Sequence, residues 1–498
     1  MLRISLSLGT GLLLALSLGG CESFTNYNKE MAGPQQLFAS GNLPAARQEV
    51  VNRMSTDETR LNPWLELGVI DHTSGAFDNS NQALQKAADL VRTREQKAVV
   101  SLSETAAGAA TLIVNEKSQP YPGEAFERVL IHTYLAMNYA LQGDWEKARV
   151  EARRSWTRQQ EIEETTQKQQ AAARNEAARS KQKVDAASLG NELNRVYADQ
   201  EGIAARELNA YRNAFSHVVS AVVYRANGDF NEAYVELKRA VELRPKAPVL
   251  GPLLIETAAA GGFQEDLPRW ESQFQLRATD VLRVQKERPA ELVIFFENGW
   301  APRKEEIIVP LPTPVGIIKL AIPKYQPQPG FSRALTVEAG GQTATSTLLG
   351  DVEAQAVRSL RDRMPTYVIK MIVRITARTL AENELRKKAQ KQGGDAGFIL
   401  AFLFSSAVNI ALEQADLRAW SLLPRDLQVA RLRLPAGQTT VRLQLDGQAN
   451  ASREVPLNLK TGAPNVMLAR STGAALYVLP NPANATAPQA PGQAAPAK

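Results

Sequence analysis

One cysteine, Cys21, stands among 498 residues, so the chain can form no internal disulfide and build no thiolate metal site. Three histidines, His72, His132 and His217, are scattered too widely for a zinc centre or for paired acid–base work. Aromatics are scarce at 6%. There is no glycine-rich phosphate loop, no nucleophile elbow and no metal-spaced cluster. Neighbouring carboxylates such as Glu163 and Glu164 lie in a charged helical stretch and read as solvated. What remains is an ordinary globular balance, 44% apolar and 22% charged, which excludes a wholly disordered chain, a collagen and a polytopic membrane protein. The length corresponds to about three domains. Plentiful Ala, Leu, Gln, Glu and Arg favour helix, and the net charge is +6.

The first twenty residues read as an export leader. Arg3 gives a positive start, and Ile4 to Leu18 is uncharged and leucine-rich, too short to span a bilayer as a helix. The leader ends in Leu18-Gly19-Gly20-Cys21, which resembles the lipobox of bacterial lipoproteins. That resemblance implies cleavage after Gly20 and a diacylglyceryl thioether on Cys21, with acyl chains of the palmitate kind. Two or more chains anchor a protein stably. The next residue is Glu22 and not Asp, which by the same resemblance points to the outer membrane.

A 34-residue register runs through the first half. Leu135, Ala136 and Tyr139 precede Gly143-Asp144-Trp145, then Ala148 and Ala152. Ala221 and Tyr224 precede Gly228-Asp229-Phe230, then Ala233, Leu237, Ala240 and Pro245. Trp64, Leu67, Gly68, Gly75, Phe77, Leu84 and Ala87 make a third copy, and Leu37, Gly41, Leu43, Ala46 and Val50 a fainter fourth. These units resemble the tetratricopeptide (TPR) pattern, in which small residues let paired helices approach. Gly41 to Gly75 is one unit and Gly75 to Gly143 two, which predicts a degenerate helix pair near 95–128. Residues 157–205, rich in Gln, Glu, Ala, Arg and Lys, read as long solvated helices inserted in the array. His132 and His217 each precede their repeat's Tyr by seven residues and read as packing residues.

From about residue 290 the period changes. Nine apolar runs read as strands: 291–296, 306–311, 316–322, 333–338, 343–349, 428–434, 439–445, 453–460 and 466–479. Gly340-Gly341, Pro435-Ala436-Gly437 and Asp446-Gly447 sit where turns belong. They predict an antiparallel β-sandwich-like domain from 290–350 and 425–479, interrupted by a helical insertion over 351–420. In that insertion Tyr367 to Lys391 reads as a helix carrying Lys370, Arg374 and Arg378 on one face. Residues 366–392 hold seven basic and two acidic side chains. Ala396 to Leu412 follows with no charge, and reads as a core helix or as a membrane- or partner-contacting one. Asp416, Arg418, Trp420 and Pro424 suggest a buried ion pair under a Trp lid. Trp300, in the turn Asn298-Gly299-Trp300-Ala301-Pro302, is a candidate surface anchor. Residues 480–498, with five Pro and seven Ala, read as a disordered tail.

Three groups of residues carry a further resemblance: Tyr121, Gly123, Glu124, Glu127, His132, Tyr134, Ala136, Asn138 and Tyr139; Phe296-Glu297-Asn298-Gly299; and Ala415-Asp416-Leu417-Arg418 with Trp420 and Leu423-Pro424. Together they resemble a bacterial lipoprotein family with TPR-like repeats. The resemblance implies no catalytic residue. Its general TPR character implies a concave helical surface for peptides or protein segments.

The expected protein is thus an α+β multidomain chain. A leader (1–20) and an acylated tether (21–35) precede a TPR-like array (36–285), then the β-rich domain, its helical insertion and the tail. The expected role is a periplasm-facing scaffold or adaptor in cell-envelope assembly, lipid-anchored to the outer membrane. Its partners would be envelope proteins and, through the anchor, the membrane. Acylation and export remove nucleic acid from consideration. No enzyme activity and no cofactor beyond the lipid on Cys21 are expected. A glycan-acting envelope enzyme, or a subunit of an export or motility complex, are the alternatives. The residues expected to matter are Cys21 for lipidation; Gly41, Gly75, Gly143, Trp145, Ala148, Gly228, Phe230 and Ala233 for repeat turns and packing; and Lys370, Arg374, Arg378 and Trp300 for interaction.

Overall fold

A computed structural model describes residues 26–54, 57–103, 120–179, 193–313, 316–327, 333–368, 414–448 and 451–486. The helical half begins with α1 (Tyr27–Ala39), α2 (Leu43–Met54), α3 (Leu61–Ser74), α4 (Phe77–Ser103), α5 (Ala125–Gln142) and α6 (Trp145–Arg179). It continues with α7 (Ala214–Ala226), α8 (Phe230–Leu243), α9 (Leu250–Gly261), α10 (Leu267–Phe274) and α11 (Ala278–Glu287).

Four helical hairpins, α1/α2, α3/α4, α5/α6 and α7/α8, turn on Gly41, Gly75, Gly143 and Gly228, with φ between 79° and 90°. A side chain is costly in that left-handed conformation, and glycine meets it freely. The same bond closes three of these turns: Asn42 N–H to Leu37 O (2.9 Å), Asp144 N–H to Tyr139 O (2.8 Å) and Asp229 N–H to Tyr224 O (2.9 Å). Phe263 N–H to Ala258 O repeats it at 2.8 Å after α9, where Gly262 has φ 82°. Gly262 lies 34 residues after Gly228, so the register resumes in a unit that sequence reading passed over. Small residues set the helix spacing. A Cβ on Gly68 would stand 2.5 Å from Leu84 across the α3/α4 contact.

The middle of the degenerate pair expected near 95–128 falls on residues 104–119, which lie outside the described residues. α4 continues unbroken to Ser103 and packs directly on α5. Its length follows from composition: from Asp78 to Ser103 no Gly or Pro stops the helix. Beyond it, α6 runs 35 residues to Arg179. The end of the expected 157–205 insertion is partly packed against the second half. Tyr197 donates to Pro323 O at 2.7 Å, and Leu193 and Tyr197 are buried.

The second half contains β1 (Ala290–Asn298), β2 (Arg303–Thr313), β3 (Gly316–Gln326), β4 (Leu335–Ala339), β5 (Gln342–Thr345) and β6 (Thr347–Asp351). Residues 352–368 form helix α12. Then come β7 (Asp426–Leu434), β8 (Gly437–Leu445), β9 (Ser452–Leu459), β10 (Asn465–Ser471) and β11 (Leu476–Pro480). A five-stranded sheet has the order β11-β10-β1-β7-β6, a four-stranded sheet the order β5-β4-β8-β9, and β2 and β3 pair with each other.

β1 is buried along its whole length. Its Leu292, Ile294 and Phe296 join Val337, Leu443, Leu457 and other residues in one apolar cluster between the two larger sheets. Its Val293 and Phe295 enter the core shared with the helices, where Phe295 meets Phe215 edge-on at 6.0 Å. Helices, five-stranded sheet and four-stranded sheet therefore stack as three layers. The five-stranded sheet is not wholly antiparallel as expected: β1 and β10 run parallel, with Leu292 beside Asn465. Hydrophobic alternation carries no direction, so pairing sense is invisible in it.

Two expected strands are each broken. The 343–349 run divides at Ser346, whose hydroxyl donates to Gln428 Oε1 (2.6 Å) and accepts from Leu335 N (2.8 Å) as the chain passes between sheets. The 466–479 run turns at Gly473, φ 88°. The first residues of the expected disordered tail, 480–486, are packed on the sheets, and the rest lies outside the described residues. Asn481 N–H donates to Val466 O (3.1 Å), Asn458 N–H donates to Asn484 O (2.8 Å), and Asn481 and Asn484 are buried.

Candidate functional site

The repeat hairpins carry an internal duplication in their polar contacts. In α5/α6, His132 Nδ1 lies 2.7 Å from Glu151 Oε2, and Arg154 donates to Glu151 Oε1 at 2.6 Å. In α7/α8, His217 Nδ1 lies 2.6 Å from Glu236 Oε2, and Arg239 donates to Glu236 Oε1. Every member is displaced by the same 85 positions as Gly143 and Gly228. Each histidine thus ties the first helix of its hairpin to the second.

The hairpins are also fastened to each other. Arg149 pairs with Asp229 at 2.9 Å, Asn227 donates to Trp145 O at 3.0 Å, and the Arg239 guanidinium lies 3.4 Å from the centre of the Trp156 ring. Ala148 and Ala233 are fully buried at the helix contacts. Trp145 and Phe230 are partly buried, and the turn glycines are at the surface at Gly143 and Gly228. On the outer helices Val150 (48% exposed) and Val235 (39%) occupy equivalent positions and leave an apolar side chain in water.

A second constellation lies at the seam between the array and the sheets, and it joins the groups of residues that carry the lipoprotein-family resemblance. Glu66 of α3 accepts from Tyr27 Oη (2.8 Å) and from the backbone N–H groups of Ser421 (2.7 Å) and Leu422 (2.9 Å). Glu127 of α5 accepts from Trp420 N (2.7 Å), Tyr121 Oη (2.7 Å) and Glu124 N (2.9 Å). Glu124 accepts from Lys304 Nζ (2.6 Å), Arg363 (3.0 Å) and Ser359 (3.1 Å). Asp416 and Arg418 form a bidentate pair at 2.8 and 2.9 Å, and Trp420 is buried beside them.

Burial acts differently on these acids. It pushes Glu66 up to about 8, because the two amides and the tyrosine do not offset the loss of water. It also raises Glu127, helped by the neighbouring Glu124. Glu124 meets the same desolvation, but Arg363 and Lys304 outweigh it and hold the carboxyl at about 2.

Two more buried clusters complete the seam. Glu297 of β1 lies 3.4 Å from His72 Nε2 and 3.9 Å from Arg470 Nε, all three fully buried. Glu256 and Glu291 share Arg225, Arg431 and Arg433, which bind α7 and α9 to β1 and β7. Sequence reading quoted Glu124, Glu127 and Glu297 only for the family resemblance, and it passed over Glu66, Glu256 and the ion pairs of Glu291. A lone Glu inside an apolar run, as in Leu65-Glu66-Leu67 or Ile255-Glu256-Thr257, was the available signal.

Trp300, expected as a surface anchor, is half-buried and occupied. Its indole N–H donates to Thr472 O at 3.1 Å, its ring meets Phe38 edge-on at 5.2 Å, and Arg470 lies over it. Cys21, Lys370, Arg374, Arg378 and the run 396–412 lie outside the described residues. Among the described residues no group of His, Cys, Asp or Glu could hold a metal ion, and no helix is long and apolar enough to cross a membrane.

No family model matches the chain, and no curated protein matches it. Among solved structures, the MamA protein is similar at 11% identity with a TM-score of 0.28, over 52% of this chain and 93% of that one. PilW, a type IV pilus biogenesis factor, is similar at 13% identity with a TM-score of 0.21, over 50% of this chain and 91% of that one.

Proposed function

We propose that the chain is a lipid-anchored envelope scaffold, acylated at Cys21, held at the outer membrane facing the periplasm, and binding a protein partner on its helical repeats. The observation that carries this reading is the duplicated hairpin. α5/α6 and α7/α8 repeat the same turn, the same His–Glu–Arg contacts and the same outward valine, Val150 and Val235. Two equivalent apolar positions on a rigid stack suit an extended or helical segment read at regular intervals. The buried carboxylates argue for the same role and against an enzyme. Those of Glu66, Glu124 and Glu127 are taken up by backbone amides and cations of the fold.

The test is site-specific photo-crosslinking in native membranes. A photoreactive residue at Val150 and one at Val235 should capture the same protein, and one at Leu208, exposed elsewhere, should not. Failure of Val150 and Val235 to capture a common protein would overturn the repeat surface as the binding face.

A further inference from the structure

The first helices of three hairpins, α3, α5 and α7, are buried almost end to end. Over α3 and α5 part of the cover is not a strand: residues 414–425 form neither helix nor strand. The main chain of residues 418–422 is held, one residue after another, by side chains from elsewhere. Arg418 O accepts from Lys304 Nζ (2.8 Å) and Ala419 O from Asn62 Nδ2 (3.0 Å). The N–H groups of Trp420, Ser421 and Leu422 end on Glu127 and Glu66, and Leu422 O accepts from Arg470 at 3.2 Å. Asn62, Glu66, Glu127, Lys304 and Arg470 are all buried.

Bonds from amides to ionised carboxylates are of the strong kind. A segment held in this way, through its main chain, is held largely without regard to its sequence. Two side chains add selectivity. Trp420 is buried with its ring 5.6 Å from that of Tyr134. Arg418, paired with Asp416, lies 5.4 Å from the centre of the Tyr121 ring.

The fit has one flaw. The indole N–H of Trp420 meets no acceptor among the described residues, and a buried donor left unpaired works against binding. Phenylalanine in the same place would carry no such donor. A poor ligand that is part of the same chain still fills its site, because tethering raises its effective concentration. A better one supplied from outside can take its place.

We infer that the α3/α5 face is a peptide site occupied by the chain's own segment Arg418–Leu422, which acts as a built-in competitor. The partner it fits is an irregular segment with an aromatic ring two residues after an arginine, as Trp420 follows Arg418. Proline is excluded at the ring and at the next two positions, where amides are required. This face lies apart from the outer valines, and the inference does not depend on capture at Val150 or Val235.

The test uses the mature chain and a fluorescein-labelled peptide of residues 414–425, with its Trp420→Phe and Trp420→Ala versions. By fluorescence anisotropy the Phe version should bind the native chain about tenfold more tightly than the unaltered peptide, the effect of one unpaired donor. The Ala version should not bind. Trp420→Ala in the chain weakens the competitor, so both aromatic peptides should bind that variant about tenfold more tightly than the native chain. Absence of binding by both aromatic peptides overturns the inference. So does equal binding of the Ala version, or affinity unchanged by Trp420→Ala in the chain, which would place the peptide elsewhere. Where that variant does not fold, Trp420→Leu replaces it with the same expectation. Where neither folds, the aromatic peptides added during refolding should restore a cooperative melt, and failure to do so counts against the site.

Discussion

The carboxylate of Glu127 accepts the Trp420 N–H at 2.7 Å, joining α5 to a loop 293 residues away. The next two amides, of Ser421 and Leu422, end on Glu66 of α3. Three successive backbone donors are thus satisfied by two buried acids from two helices. A loop buried against helices must place its amides somewhere, and here side chains replace a strand partner. The array and the sheets are one folded body because of such contacts.

Glu66 makes that seam sensitive to pH. Its folded pKa of about 8 lies above the ordinary 4.5, so the folded state binds the extra proton between those values. Its contribution is fully present below about 4.5 and is lost as pH rises through about 8. Glu66→Gln removes the titration. The melting temperature of the native chain relative to this variant should fall from pH 5 to pH 8, and a constant difference would refute the assignment.

Glu124→Ala leaves Lys304, which is 1% exposed, without its carboxylate. Breaking a buried pair from one side costs about 3–5 kcal/mol. Lys304→Met should cost less, because Glu124 keeps Arg363 and Ser359. Denaturant melts of both variants check the order.

Ala148→Leu and Ala233→Leu each force a larger side chain into a fully buried helix contact. Overpacking of this kind costs roughly 1–3 kcal/mol. Equal losses in the two variants would reflect the equivalence of the hairpins, and unchanged unfolding midpoints would deny it.

Cys21→Ser should abolish incorporation of a fatty-acid analogue and release the protein to the soluble fraction or leave an uncleaved precursor. Labelling that persists in the variant would remove the proposed anchor.

The turns were legible because left-handed backbone selects glycine, and Gly41, Gly75, Gly143 and Gly228 sit at such turns. Gly262 carried the same left-handed backbone and the same 34-residue spacing from Gly228 and was passed over. The strands from β1 to β9 were legible as short apolar runs punctuated by Pro and Gly, apart from the break between β5 and β6, while the parallel sense of β1 and β10 was not. The buried acids were obscured because Glu reads as a surface residue until its partner is known, and two partners of Glu66, Ser421 and Leu422, lie over 350 positions away. Trp300 misled for the same reason: a Trp in a Gly-Pro turn looks exposed, and the ring that covers it belongs to Phe38.

The parallel ladder between β1 and β10 also orders events during synthesis. β1 is complete by Asn298, but the neighbour that closes its second edge begins at Asn465. Until then a nine-residue strand, apolar on both faces, has one side open. A ribosome that stalls, or a protease that trims, anywhere before Asn465 leaves that edge bare. The last fifteenth of the sequence is therefore not an appendage, and fragments that keep every repeat but lose β10 should be the ones that aggregate.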